Sequence, residues 1–152
     1  MTRTDQTAIP LNAKSASNVD DMFKSTGTLR YDTISGHRLV VEVDQGIADY
    51  YRSLIPLWKP VNKPMWPAHV TLVRPDKEVP VNLEHWCKYE GEPIEFLYEP
   101  HVYSGKVYYW LNIWCNRLED IRLELGLPVV SEFTLPPDGF IKCFHCTIGN
   151  MK

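Results

Sequence analysis

Twice along its length the chain sets a histidine and a threonine two residues apart inside an apolar run, as AHVTL at 68–72 and as FHCTI at 144–148. In a β-strand successive side chains point to opposite faces, so residues two apart share a face. The spacing predicts two strands. His69 and Thr71 stand on one face of the first, with Val70 and Leu72 behind them. His145 and Thr147 stand on one face of the second, with Phe144, Cys146 and Ile148 behind. Two strands, 76 positions apart and each carrying a polar face and an apolar face, read as parts of one site.

The rest of the chain is read around those strands. A short helix is predicted in SNVDDMFK (17–24), capped by Ser17 or Asn18 with Asp20 and Asp21 near its positive end. HRLVVEVD (37–44) follows as a strand with Leu39, Val41 and Val43 on one face. Asp44 then caps a helix in QGIADYYRSLIPLW, where Ile47, Tyr50, Tyr51, Leu54 and Ile55 keep helical spacing until Pro56. WKPVNKPMWP, with three prolines, is extended loop into the first His/Thr strand, and RPDKEVP is the loop that leaves it.

PIEFLY reads as a strand, and HVYSGKVYYWLNIWC as a hairpin turning at Ser104-Gly105. NRLEDIRLELG is a helix capped by Asn116 with Leu118, Ile121, Leu123 and Leu125 apolar and Gly126 as its stop. A loop with LPPDG then delivers the second His/Thr strand. Strands rich in antiparallel connections with helices packed on them make an α+β domain. Each half runs helix, proline-rich loop, His-x-Thr strand, an order that would set the two motif strands side by side around a pseudo-twofold cleft.

Composition removes several classes of function. With 152 residues, 44% of them hydrophobic, the chain builds one ordinary core, expected over 19–152 behind a polar, flexible arm at 1–18. A formal net charge of −3 and a pI near 5.9 argue against coating long nucleic acids, though a small anionic ligand held by a few local donors is allowed. No apolar run approaches the roughly 20 residues that cross a bilayer, and the N-terminal stretch lacks the apolar core of a secretory signal, so no membrane partner is expected. Cysteines at 87, 115, 143 and 146 are too few and too irregular for a disulfide framework. CFHC resembles a piece of a zinc knuckle, but in a strand Cys143 and Cys146 face opposite sides and no second Cys-x-x-Cys completes four ligands.

Imidazole, with an ordinary pKa near 6.5, gives or takes a proton at neutral pH. A pair of them across a phosphate supplies a base for an attacking hydroxyl and an acid for the leaving oxygen, and threonine hydroxyls on the same face donate to the non-bridging oxygens. The scheme requires no metal and no cofactor. Of the five histidines, His37, His85 and His101 lack a threonine two positions on and read as surface or packing residues. Candidate platforms for a base are Trp110, then Tyr31 in its polar approach segment, then Trp66 just before the first motif. In the hairpin, Tyr108, Trp110 and Trp114 share one face, with Tyr109, Leu111 and Ile113 on the other. Arg74 and Lys142, beside the motifs, are candidate phosphate-attracting cations.

HVTLVRP and HCTIGN resemble the paired His-x-Thr/Ser motifs of the two-histidine phosphoesterase superfamily. That resemblance implies a metal-independent enzyme of two related lobes around a central cleft, antiparallel-rich sheets inside and helices outside. It assigns His69 and His145 as acid and base and Thr71 and Thr147 as phosphate ligands. The short length, GTLRYD, the YYWLNIW hairpin and the end of the sequence just after the second motif look more narrowly like the phage anti-CBASS nucleases. This implies cleavage of cyclic di- or oligonucleotide messengers such as cyclic GMP–AMP in the cytoplasm of an infected bacterium. Its rivals are a phosphodiesterase for 2′,3′-cyclic phosphates at RNA ends and a non-catalytic cyclic-nucleotide sponge. Self-association is left open.

Overall fold

The computed structural model describes residues 21–138 and 141–152. The arm assigned to 1–18, and the first half of the helix expected in SNVDDMFK, lie outside the described residues. The elements run β1 (Phe23–Asp32), β2 (Arg38–Glu42), α1 (Gln45–Ser53), β3 (His69–Val73), β4 (Pro93–Tyr98), β5 (Tyr103–Ser104), β6 (Tyr108–Trp114), α2 (Asn116–Glu124) and β7 (Phe144–Asn150). All strands join one antiparallel sheet in the order β4-β1-β2-β3-β7-β6-β5. Pairing of Leu97 with Trp114 and of Tyr98 with Ile113 joins β4 to β6 and closes the circuit into a barrel. The fold is α+β, and in place of several sheets there is one, closed on itself.

The sheet carries an internal duplication. β1-β2-α1-β3 and β4-β6-α2-β7 are both ββαβ units, and they meet where β3 pairs with β7 and where β1 pairs with β4. The expected side-by-side placement of the two motif strands is thus present. α1 packs beside β7 and α2 beside β3, so each helix leans on the motif strand of the other unit.

One face of the strands makes the core. Leu29, Leu39, Val41, Val70, Leu72, Ile94, Phe96, Leu111, Ile113, Phe144, Cys146 and Ile148 form a single buried cluster with Ala48 and Tyr51 of α1 and Leu118 and Ile121 of α2. Each fully buried aliphatic side chain contributes about 1.5–3 kcal/mol of transfer free energy, and this fixes the register, because a slip of one residue would turn the histidines inward. The strand and hairpin faces foreseen for β2 and β6 hold: Leu39, Val41 and Val43 lie in the core, as do Tyr109, Leu111 and Ile113.

Four expectations need correction. Phe23 and Lys24 belong to β1, opposite Tyr98 and Leu97, and not to a helix; the ring of Phe23 stands edge-on to Tyr98, and ten residues gain ladder hydrogen bonds. α1 ends at Ser53, with Tyr50 and Leu54 exposed, because the stripe that meets the core is Ala48–Tyr51–Ile55. Asp44 does cap it, accepting from the Gly46 amide at 2.9 Å. In α2 the cap position is extended Cys115, with Asn116 already helical, and Leu123 is exposed. Gly126 ends that helix at φ +83°, where a Cβ would lie 2.8 Å from Cβ of Val81.

Candidate functional site

The antiparallel register of β3 and β7 centres on Val70 opposite Cys146. Extending it one residue each way sets His69 beside Thr147 and Thr71 beside His145. The flanking strands continue the rows: Glu42 and Val40 of β2 pair with His69 and Thr71, and Asn112 and Trp110 of β6 pair with His145 and Thr147. Two rows therefore cross the sheet on the face away from the core: Glu42–His69–Thr147–Trp110 and Val40–Thr71–His145–Asn112. The row between them, Val41–Val70–Cys146–Leu111, is wholly buried. The four motif side chains are half-buried on the opposite face. Diagonal neighbours in such a pair stand about 7–8 Å apart, room for a tetrahedral phosphate between the two imidazoles.

Both rings are held in the same way. Nδ1 of His69 lies 2.8 Å from the Pro67 carbonyl, and Nδ1 of His145 lies 3.2 Å from the Thr134 carbonyl. A carbonyl only accepts, so the hydrogen-bond network assigns the proton to Nδ1 in each ring and leaves the Nε2 lone pair as the proton acceptor. Thr134 is fixed in turn by a tight turn on Ser131, whose Oγ accepts from the Phe133 amide.

Burial dominates the electrostatics of both histidines. It pushes His145 down to about 4, helped by the charge of His69, and the carbonyl of Thr134 opposes the change without reversing it. His69 is lowered by burial and then by the cation Arg38, against the Pro67 carbonyl. Both rings are neutral at pH 7 in the free protein. An arriving phosphate dianion or diester supplies the opposite charge that raises such values and lets one ring carry a proton.

Each motif strand is also gripped by the helix of the other unit. Arg52 of α1 donates from Nη1 to the Ile148 carbonyl at 3.2 Å, and Arg122 of α2 donates from Nη1 to the Leu72 carbonyl at 2.5 Å. Each acceptor is the residue just after a motif threonine. Arg122 is fully buried and forks onto Glu78 at 3.0 and 2.8 Å; Arg52, 18% exposed, pairs with half-exposed Asp49.

The structure brings His69, Thr71, His145 and Thr147 together and distributes the other candidates differently. Trp110 reaches the site as a wall: it is 1% exposed, stacked on Tyr103, with its indole N–H donating to Asn112 at 3.0 Å. A buried indole has no free ring for a base to cover. Tyr31 is not at the site, because it shares the parity of Leu29 and packs on the core face against Trp86. Trp66 is 67% exposed in the loop that leads to Pro67 and His69. Arg74 and Lys142 are exposed, one just past β3 and the other just before β7. Among the three other histidines, His37 and His101 stand edge-on to Trp86 and Tyr103, and His85 lies near Glu84 and Glu124.

Arg38 was missed. It has the parity of Val40 and Glu42, hence of the His/Thr face, and its charge is felt at His69. Its signal in RLVVE was the complement of the core pattern, Arg38–Val40–Glu42 against Leu39–Val41. Asn112, opposite His145, was also missed, and no local pattern marks it. Among the described residues no group of three or more His, Cys, Asp or Glu is disposed to hold a metal ion, and no helix is long and apolar enough to cross a membrane. Comparison with family models, with curated proteins and with solved structures finds no match.

Proposed function

We propose that the protein is a phosphodiesterase of the two-histidine kind that opens 3′–5′ bonds of cyclic di- or oligonucleotides bearing a ribose 2′-hydroxyl. The carrying observation is the crossed square of His69, Thr147, Thr71 and His145 on one half-buried face, with each Nδ1 held by a backbone carbonyl so that Nε2 is the proton acceptor. The ββαβ duplication is what two related lobes would require, and the resemblance of HVTLVRP and HCTIGN to the paired motifs of that superfamily points the same way.

In this reading one imidazole takes the 2′-hydroxyl proton through Nε2 as the oxygen attacks phosphorus. The other, protonated, gives its proton to the departing 5′-oxygen. The P–O5′ bond breaks as the P–O2′ bond forms, leaving a linear product with a 2′,3′-cyclic phosphate that water opens with the roles exchanged. Thr71 and Thr147 donate to the non-bridging oxygens, and Arg38 faces the charge that gathers there. A phage protein with this activity would erase the messenger of a bacterial CBASS defence in the host cytoplasm.

The test is a cleavage panel in EDTA: 3′,3′-cyclic dinucleotides beside RNA with a 2′,3′-cyclic phosphate end. Turnover of the cyclic dinucleotides is expected. Exclusive turnover of the RNA end would move the substrate to RNA repair chemistry, and recovery of intact ligand after stoichiometric binding would make the protein a sponge.

A further inference from the structure

Glu99 follows β4 and lies against β6, its amide donating to the Asn112 carbonyl at 3.3 Å. Its Oε1 accepts from the Tyr103 hydroxyl at 2.9 Å and from Nδ2 of Asn112 at 3.4 Å. Asn112 stands opposite His145 in the sheet, so Glu99 extends the row Val40–Thr71–His145–Asn112 by one strand. Two strand spacings of about 4.8 Å place this carboxylate roughly 10 Å from His145, the separation between a phosphate and the far edge of its own nucleobase.

Internal hydrogen bonding explains only half of this group. Tyr103 and Asn112 need one acceptor oxygen, which a neutral glutamine would supply equally well. A carboxylate offers about four acceptor sites, and among the described residues two are taken, both on Oε1. Glu99 makes no salt bridge among the described residues. A half-buried carboxylate whose second oxygen has no hydrogen-bond partner among the described residues thus stands at the end of the His145 row, beside the stacked rings of Tyr103 and Trp110 and the exposed imidazole of His101.

We infer that Glu99 is the base-reading residue of the site and that it selects guanine. Guanine alone among the common bases turns two adjacent donors, N1–H and N2–H, to its pairing edge. Adenine and cytosine place an acceptor nitrogen beside a single donor, which a carboxylate repels, and uracil offers one N–H between two carbonyls. The inference rests on the phosphodiester reading of the same face and names the nucleoside that lies on its β6 side.

The experiment uses 3′,3′-cyclic dinucleotides made non-cleavable by 2′-O-methylation, with two guanines, two adenines, or two inosines that lack the 2-amino group. Calorimetry on the wild type should show the guanine ligand bound about a hundredfold tighter than the adenine ligand, with inosine between, since a buried site punishes a missing donor heavily. Glu99→Gln keeps an acceptor for Tyr103 and should remove the guanine preference: the guanine ligand weakens, the adenine ligand, whose ring nitrogen no longer meets a carboxylate, binds at least as tightly as before, and the melting temperature is unchanged. Glu99→Asp, which draws the same charge back by one methylene, should lose part of the preference. Equal losses for guanine and adenine ligands in Glu99→Gln would show a merely structural group and overturn the inference, as would a wild type without preference. Turnover of the 2′-hydroxyl ligands separates the two readings. Guanine selection without turnover keeps the subsite and removes the chemistry; turnover with an unchanged preference in Glu99→Gln does the reverse.

Discussion

The two ββαβ units differ most in what flanks their histidines. On the β2 side His69 has Arg38 and the exposed Glu42 for neighbours, and Glu42 is paired with Arg30 at 3.2 Å on the surface. On the β6 side His145 has Asn112 and Trp110, both almost fully buried and hydrogen-bonded to each other. The helical clamps repeat the contrast, Arg122 sealed beside Glu78 and Arg52 partly exposed beside half-exposed Asp49. A duplicated scaffold supplies two equivalent histidines; the difference in their surroundings gives one an open, charged flank and the other a dry, aromatic one.

The equivalence is broken most severely at the rings. His69→Ala and His145→Ala should each lower turnover of a cyclic dinucleotide about 10²–10⁴-fold while retaining the native circular dichroism spectrum, because both residues stand off the core. The double variant should be little worse than either single one, since the two act on one proton relay. A variant that kept more than a tenth of wild-type turnover would remove that ring from the chemistry.

The clamps come next. Arg122→Met leaves Glu78 buried without a partner and strips the Leu72 carbonyl of its donor, and urea denaturation should show a loss of about 3–5 kcal/mol. Arg52→Met removes one hydrogen bond and a surface ion pair and should cost about 1 kcal/mol. Equal losses would mean that the units are held more symmetrically than their burial implies.

The remaining contrast is in pH dependence. The folded-state value of His145, near 4, lies below the unfolded one, near 6.5, so between these limits the unfolded chain binds the proton and the folded chain does not. The stability that this group contributes is complete above pH 6.5 and is lost as pH falls toward about 4. His145→Gln should flatten that slope in denaturation curves recorded across the window. The ring of His145 should titrate by NMR below that of an ordinary histidine, and a midpoint near 6.5 would refute its dry surroundings.

Much of this was legible in the chain because period-two alternation is local. The motif strands, the core faces of β2 and β6 and the Asp44 cap needed no partner to be recognised. β1 was not read as a strand, because its core face includes Gly27, a residue that weakens strand patterns; a Cβ there would fall 2.4 Å from Cγ1 of Val41, so close approach of β2 demands the glycine. Arg38, Asn112 and Glu99 come near the motif histidines only through strand pairing, which sequence separation hides. The acceptors on Pro67 and Thr134 are backbone carbonyls and leave no side-chain trace. Trp110, expected as a platform for a base, pairs with Thr147 and is buried as a wall.

The account stands on four side chains enclosing one phosphorus atom and on a hydroxyl of the substrate itself as nucleophile. Chromatography of the products from a 3′,3′-cyclic dinucleotide and from its analogue lacking the 2′-hydroxyl next to the scissile phosphate tests this directly. The account predicts a linear product ending in a 2′,3′-cyclic phosphate from the first and an intact ring from the second; comparable cleavage of both would contradict it.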